Sequence, residues 1–205
     1  MTDHIVRDLA SLESLYGDVN EASALKEISY LHPHYAAFIQ ASPFAVLATA
    51  GEHGLDASPR GDAPGFVEIV DDKKLLMADR RGNNRIDSLR NILRNPQIAL
   101  LFLVPGIGET LRVNGRAEIS IDPALLERFA VKDRAPRTVL IIHVESVFFQ
   151  CSRALIRSEL WNPDKHLPRS ALPSTGQMLA AVTDQRIDAE TYDRELPPRL
   201  KATLY

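Results

Sequence analysis

Several things are scarce in this chain of 205 residues: it has one cysteine, one tryptophan and an aromatic share of only 6%. The lone Cys151 excludes an intrachain disulfide and a multi-cysteine metal site, and it suits a reducing compartment. No apolar run approaches the roughly 20 residues of a membrane helix, and the opening Met-Thr-Asp-His-Ile-Val-Arg-Asp lacks a basic region followed by an apolar core. Neither charge dominates: 24 Lys and Arg against 27 Asp and Glu leave −3, so nothing pulls the whole chain toward nucleic acid or an anionic membrane. The phosphate-loop pattern, the dinucleotide fingerprint and His-Glu-x-x-His are all missing. Ser58 is followed by Pro59, not by a nucleophile elbow, and Gly106-Ile107-Gly108 leads from one predicted strand into another. These absences leave a cytoplasmic globular protein with no membrane or nucleic-acid partner and no metal site, whose chemistry rests on local side-chain placement.

Apolar content of 45% and charged content of 25% are ordinary, and the length suits a single domain over 1–205. Three parts are expected within it: helices in 1–41, a barrel over 43–150 and an extension over 151–205. In the first part Ile5, Leu9 and Leu12 recur at helical spacing up to Gly17, a second helix is expected over 21–29 and a third over 34–40. His32 and His34 flank Pro33, and a surface or capping role suits them better than a metal. From Pro43 the period changes to that of strands, over 44–49, 55–60, 66–70, 75–78, 98–104, 110–120 and 137–149. Pro59 marks an edge, a bulge or a strand end, and Gly115 falls on an apolar face where backbones could approach closely. Six or seven strands in hairpins with few intervening helices indicate an antiparallel barrel.

The stretch from Asp79 to Arg116 carries most of the functional signal. Asp79-Arg-Arg-Gly-Asn-Asn-Arg85 precedes a helix expected to start near Asn84, capped by Asn83 or Asn84, with Ile86, Leu89, Ile92 and Leu93 as its apolar stripe and Asn95-Pro96 as its stop. Ile98 to Val104 reads as a strand buried on both faces. Unpaired N–H groups at a helix start beside arginines make an anion site, with phosphate the obvious guest. Arg60, Arg80, Arg81, Arg85, Arg112 and Arg116 stand among small polar residues (Ser58, Gly61, Gly82, Asn83, Asn84, Ser88), and Asp62, Asp79 and Asp87 are near enough in sequence to pair with some of them.

Four segments carry a resemblance: Ala57-Ser-Pro-Arg-Gly-Asp62, Asp79 to Pro96, Gly108-Glu-Thr-Leu-Arg-Val-Asn-Gly-Arg116 and Cys151-Ser-Arg-Ala-Leu-Ile-Arg-Ser-Glu-Leu-Trp161. In this order and spacing they resemble the pyridoxamine 5′-phosphate oxidase-related, FMN-binding split-barrel family, over roughly residues 20–165. The match is to a bacterial branch apart from the true vitamin B6 oxidases, whose Ser-Arg-Lys run is Ile86-Asp87-Ser88 here. The resemblance implies a mainly β fold with flanking α-helices, a six-stranded antiparallel split β-barrel. It also implies a homodimer with FMN at the subunit interface. By position, Ser58 and Arg60 would lie along the flavin, and Asn83, Asn84, Arg85 and Ser88 would hold its phosphate and ribityl chain. Arg112 or Arg116 would reach in from the neighbouring subunit, and Trp161 would cover an edge.

The function implied is an FMN-dependent oxidoreductase acting on a small molecule, with no obligatory catalytic residue evident. Two alternatives stay open: a flavin-binding module without turnover, and a split barrel that uses haem or a deazaflavin. For haem, His32, His34, His53, His143 and His166 are the candidate axial ligands.

Overall fold

A computed structural model describes residues 4–52 and 54–205; His53 lies outside the described residues. Among the described residues seven antiparallel strands form one sheet: β1 Phe44–Gly51, β2 Gly54–Gly61, β3 Val67–Asp71, β4 Lys74–Ala78, β5 Gln97–Leu103, β6 Thr110–Ser120 and β7 Val139–Gln150. Their order is β2-β1-β5-β6-β7-β4-β3. In a flat sheet the five steps from β2 to β4 would span about 24 Å. Yet Asp62, just past β2, touches Arg80, just past β4, at 2.9 Å. The sheet is therefore rolled, with its two edges facing each other across a split. This is the expected split barrel with flanking helices, with seven strands rather than six because β3 and β4 both stand as full members.

Among the described residues there are eight α-helices: α1 Leu9–Glu13, α2 Glu21–Leu25, α3 Pro33–Ala41, α4 Asp87–Arg94, α5 Pro123–Arg128, α6 Arg153–Ser158, α7 Thr175–Val182 and α8 Ala189–Ala202. His32 does cap: its ring nitrogen accepts from the His34 N–H at 3.2 Å, at the start of α3. Asp122 does the same for α5 through the Ala124 N–H. The charged end of the chain, given no element by the sequence, forms α8 with Pro197 and Pro198 inside it. A capping box at Ser174 and Gln177 opens α7.

Strand alternation sorts the barrel side chains. Leu47, Leu100, Phe102, Leu111, Val113, Leu140 and Ile142 point inward and are buried, together with Ile39 of α3 and Ile92 of α4. Burying each such side chain stabilises the fold by about 1.5–3 kcal/mol, so this one face supplies most of the driving force. β5 departs from expectation. Ile98, Leu100 and Phe102 are buried, but Ala99, Leu101 and Leu103 are half-exposed, so only one of its faces lies in the core. Gly115 behaves as its position suggests, because a Cβ there would stand 2.1 Å from the His143 carbonyl oxygen, where the β6–β7 register shifts.

α4 differs in start and face. Asn84 and Ile86 both adopt left-handed backbone (φ 60° and 52°), so the helix opens at Asp87, and Ile86 at the N-cap position gives no side-chain cap. A β-branched residue in that region is strained, which marks the turn as held by its surroundings. The buried face is Ser88 and Ile92 with Leu89 beside them, whereas Ile86 and Leu93 are 47% and 77% exposed. A stripe drawn from apolar residues alone could not anticipate a buried serine.

Candidate functional site

On β2 every second residue faces inward, and the register pairs Asp56 with Thr49, Ser58 with Leu47 and Arg60 with Ala45. α4 lies over these strands. Its Asn91 amide donates to Thr49 Oγ1 at 3.0 Å, and a Cβ at Gly51 would collide with the same side chain. That close approach brings Ser88 down onto β2. The Ser88 hydroxyl, 3% exposed, donates to Asp56 Oδ2 at 2.6 Å and accepts from Arg60 Nη2 at 3.3 Å. Ser58 Oγ lies 3.2 Å from Ser88 Oγ and also donates to Asp56 Oδ2, at 3.0 Å. Arg60 Nη1 is tied to the Pro59 carbonyl at 3.0 Å. Of the nine residues singled out by sequence, Ser58, Arg60 and Ser88 thus form one hydrogen-bonded cluster. Asp56 joins it, and sequence reasoning missed it, although its period-2 spacing from Ser58 and Arg60 would have marked it.

The opposite lip comes from the end of β4. The Asp79 N–H donates to the Thr138 carbonyl at 2.9 Å, continuing the β4–β7 ladder, so Asp79 and Thr138 share the inward face with Met77 and Leu140. Burial pushes the Asp79 carboxyl above its ordinary range, against the opposing pull of Arg60 and Arg137. Arg137 Nη1 donates to Asn84 Oδ1 at 3.2 Å, while Asn83 Oδ1 accepts from the Arg85 N–H at 3.0 Å and shapes the turn into α4. Thr138 Oγ1 is buried without a hydrogen-bond partner, which leaves a donor-acceptor unused on this lip.

The arginines do meet the aspartates. Arg80 pairs with Asp62 at 2.9 Å and Arg85 with Asp87 at 2.7 Å. The two pairs are unequal. The Asp62 and Arg80 side chains are 10% and 24% exposed, whereas those of Arg85 and Asp87 are 76% and 37% exposed. An ion pair that open contributes about 0–1 kcal/mol, so Arg85 can exchange its partner at little cost.

Arg112 and Arg116 are not part of this cluster within the chain. Alternation on β6 sends Leu111, Val113 and Ala117 inward and Arg112, Asn114 and Arg116 to the outer face. There the Arg112 guanidinium stands 4.7 Å from the Phe148 ring centre. Arg116 borders a groove of about 620 Å³ with Ile92, Leu93, Pro96 and His143. Trp161 donates its indole N–H to the Ile107 carbonyl at 2.8 Å, which fastens it to the β5–β6 loop. Among the described residues no helix is long and apolar enough to cross a membrane, and no three of His, Cys, Asp and Glu gather as a metal site.

Residues 31–151, which hold the whole sheet and both lips, match the family model described as pyridoxamine 5′-phosphate oxidase. The chain belongs to the pyridoxamine 5′-phosphate oxidase family. No curated protein matches it. Among solved structures, HupZ of Group A Streptococcus is similar at 26% identity over 57% of this chain and 90% of that one, with a TM-score of 0.46. A protein related to general stress protein 26 from Clostridium acetobutylicum aligns at 18% identity over 58% and 86%, also with a TM-score of 0.46. An FAD-binding protein from Mesorhizobium loti aligns at 18% identity over 60% and 94%, with a TM-score of 0.41.

Proposed function

We propose that this member of the pyridoxamine 5′-phosphate oxidase family binds FMN between the β2–α4 cluster and the β4 lip and serves as a flavin-dependent oxidoreductase on a small molecule. The observation that carries the reading is the junction at the start of α4, where Arg60 of β2 and Arg137, just before β7, meet Asp79 at the end of β4, beside the unpartnered buried Thr138 Oγ1. Such a lip fits a ligand rich in oxygen acceptors with an anionic end. Arg85, held by Asp87 alone in an exposed pair, would turn to the phosphate with Asn83 and Asn84 beside it. Ser58 and Arg60, fixed by Ser88 and Asp56, would lie along the ribityl chain and ring as polar groups whose positions are set before binding, Arg60 as the donor. FMN when bound supplies the hydride or electron transfer, and the protein groups bind and orient it. None of the polar groups of the cluster needs to be a nucleophile for that role.

The outer face supports a homodimer. Phe44, Leu101, Leu103 and Phe148 leave half-exposed apolar surface there around Arg112, which a second copy would cover while bringing Arg112 or Arg116 toward the cofactor. The exposed, free Cys151 suits a reducing cytoplasm. The test is the visible absorption spectrum of the purified protein, with mass identification of whatever a denatured sample releases. A yellow protein that releases FMN supports the reading and justifies a screen of nicotinamide donors. A colourless protein that takes up no added FMN overturns it.

A further inference from the structure

The closest link across the split lies beside the cradle and is completed by a residue outside the matched region. Asp62 leaves the end of β2 and Arg80 the end of β4, and their ion pair joins the two sides of the rolled sheet. Each oxygen of Asp62 is engaged: Oδ2 with Arg80 Nε at 2.9 Å, Oδ1 with the Tyr205 hydroxyl at 2.8 Å and with the Ala63 N–H at 2.8 Å. Arg80 is held from behind by the Phe129 carbonyl at 2.7 Å, and its guanidinium stands 5.7 Å from the centre of the Tyr205 ring. Arg134 donates to the main-chain oxygen of Tyr205 at 2.8 Å.

Tyr205 is delivered by α8, which packs on α7 as a tight hairpin. Gly176 of α7 has no room for a Cβ against the Ala189 carbonyl, and Asp193 of α8 accepts from the Gly176 N–H at 2.7 Å and from the Ser174 hydroxyl. This hairpin lies beyond residue 151, where the family match ends. The segments it clasps are those that carry the candidate site: Asp62 is two residues past Arg60, and Arg80 directly follows Asp79. Where Arg60 stands relative to the 79–86 turn is therefore set partly by how firmly Asp62 and Arg80 are joined.

We propose that Tyr205 is a positioning residue for the cradle: through Asp62 and Arg80 it locks the split and orders the turn over residues 79–86. The link to cofactor affinity rests on the FMN reading above; the ordering of the turn does not. A hydrogen bond from a phenol to a carboxylate that is also paired with a guanidinium is charge-assisted and among the stronger kind. Its loss leaves the Arg80 pair with one anchor fewer.

The experiment compares the full-length protein with Tyr205→Phe, which keeps the ring and removes only the hydroxyl, and with Asp62→Asn as a second break in the same link. Amide hydrogen exchange over 79–86 is measured without cofactor, and FMN affinity by titration. Exchange at 79–86 that quickens relative to the unsubstituted protein while β5 and β6 stay unchanged, with FMN bound about tenfold more weakly, is the expected result. Unchanged exchange at 79–86 in Tyr205→Phe overturns the clasp whatever FMN does. Faster exchange with wild-type FMN affinity overturns its coupling to the cradle. If the unmodified protein takes up no FMN, the cofactor reading falls, and the exchange data alone decide the clasp.

Discussion

The two faces of the same sheet treat their polar residues in opposite ways. On the inner face Asp56, Ser58, Arg60 and Ser88 are tied to one another within 2.6–3.3 Å, and Ser88 is buried. On the outer face Arg112 and Arg116 follow the same period-2 logic, yet Arg112 rests on an aromatic ring and Arg116 lies exposed at a groove. Arginines that look equivalent in sequence therefore differ in how much of their ordering is complete before any ligand arrives. Side chains already fixed lose little entropy on binding, so the inner face is the better place for a recognition site.

The comparison can be broken at several points. The largest effect is expected at Arg85, on the inner lip: Arg85→Ala should weaken FMN binding on the order of 100-fold, the loss of a charge-assisted phosphate contact. Arg116→Ala, whose side chain would approach the cofactor only from the neighbouring subunit, should weaken FMN binding less than Arg85→Ala, and flavin titration of both variants checks the contrast. A larger loss from Arg116 would move the site to the outer face. Next comes Ser88→Ala, which removes a buried hydroxyl and strips the half-buried Asp56 carboxylate of a donor, and should cost about 1–3 kcal/mol of stability by denaturant unfolding.

A pH dependence should follow from Asp79. Burial raises its carboxyl above the ordinary aspartate value of 3.8, against the pull of Arg60 and Arg137. The folded state therefore prefers the protonated acid. The contribution of Asp79 to stability is fully present below about pH 3.8 and is lost as pH rises through the higher folded value. Asp79→Asn should remove that loss and flatten the profile across this window, as measured by thermal unfolding at a series of pH values. Asp62 runs the other way. Burial would raise it, but hydrogen bonds from Tyr205 and the Ala63 N–H, together with Arg80, bring it below its usual value, so its stabilisation is present above 3.8 and fades on acidification. The smallest effect belongs to the outer face. Arg112→Ala should cost about 0.5–1 kcal/mol by the same unfolding assay, the worth of an exposed cation–aromatic contact.

The fold was largely legible because alternation and turn residues act locally. Pro59 marked an edge, a bulge or a strand end, and β2 is an edge strand; Gly115 marked a close backbone approach, and Leu111, Val113, Ala117 and Ile119 an inward face, where the structure has them. α4 was legible as a helix but not in its start or face. The left-handed turns at Asn84 and Ile86 have no strong sequence signal, and Ser88 is buried for its hydrogen bonds. The cluster of Ser58, Arg60 and Ser88 could be named residue by residue. Asp56 was passed over despite its period-2 spacing from Ser58 and Arg60, because a carboxylate reads as a competitor for an anion, and Thr138 could not be named, because an orphaned hydroxyl exists only in three dimensions. The clasp was invisible for the same reason, since Asp62 and Tyr205 lie 143 positions apart.

The split leaves β2 and β3 as open edges of the sheet. Unpaired strand edges can recruit further chains into fibres. Here Pro59 deprives the middle of β2 of an N–H that an incoming strand would need, and the register of β3 breaks between Ile69 and Asp71. A barrel that stays open beside its candidate site thus presents two edges that are poor templates for growth.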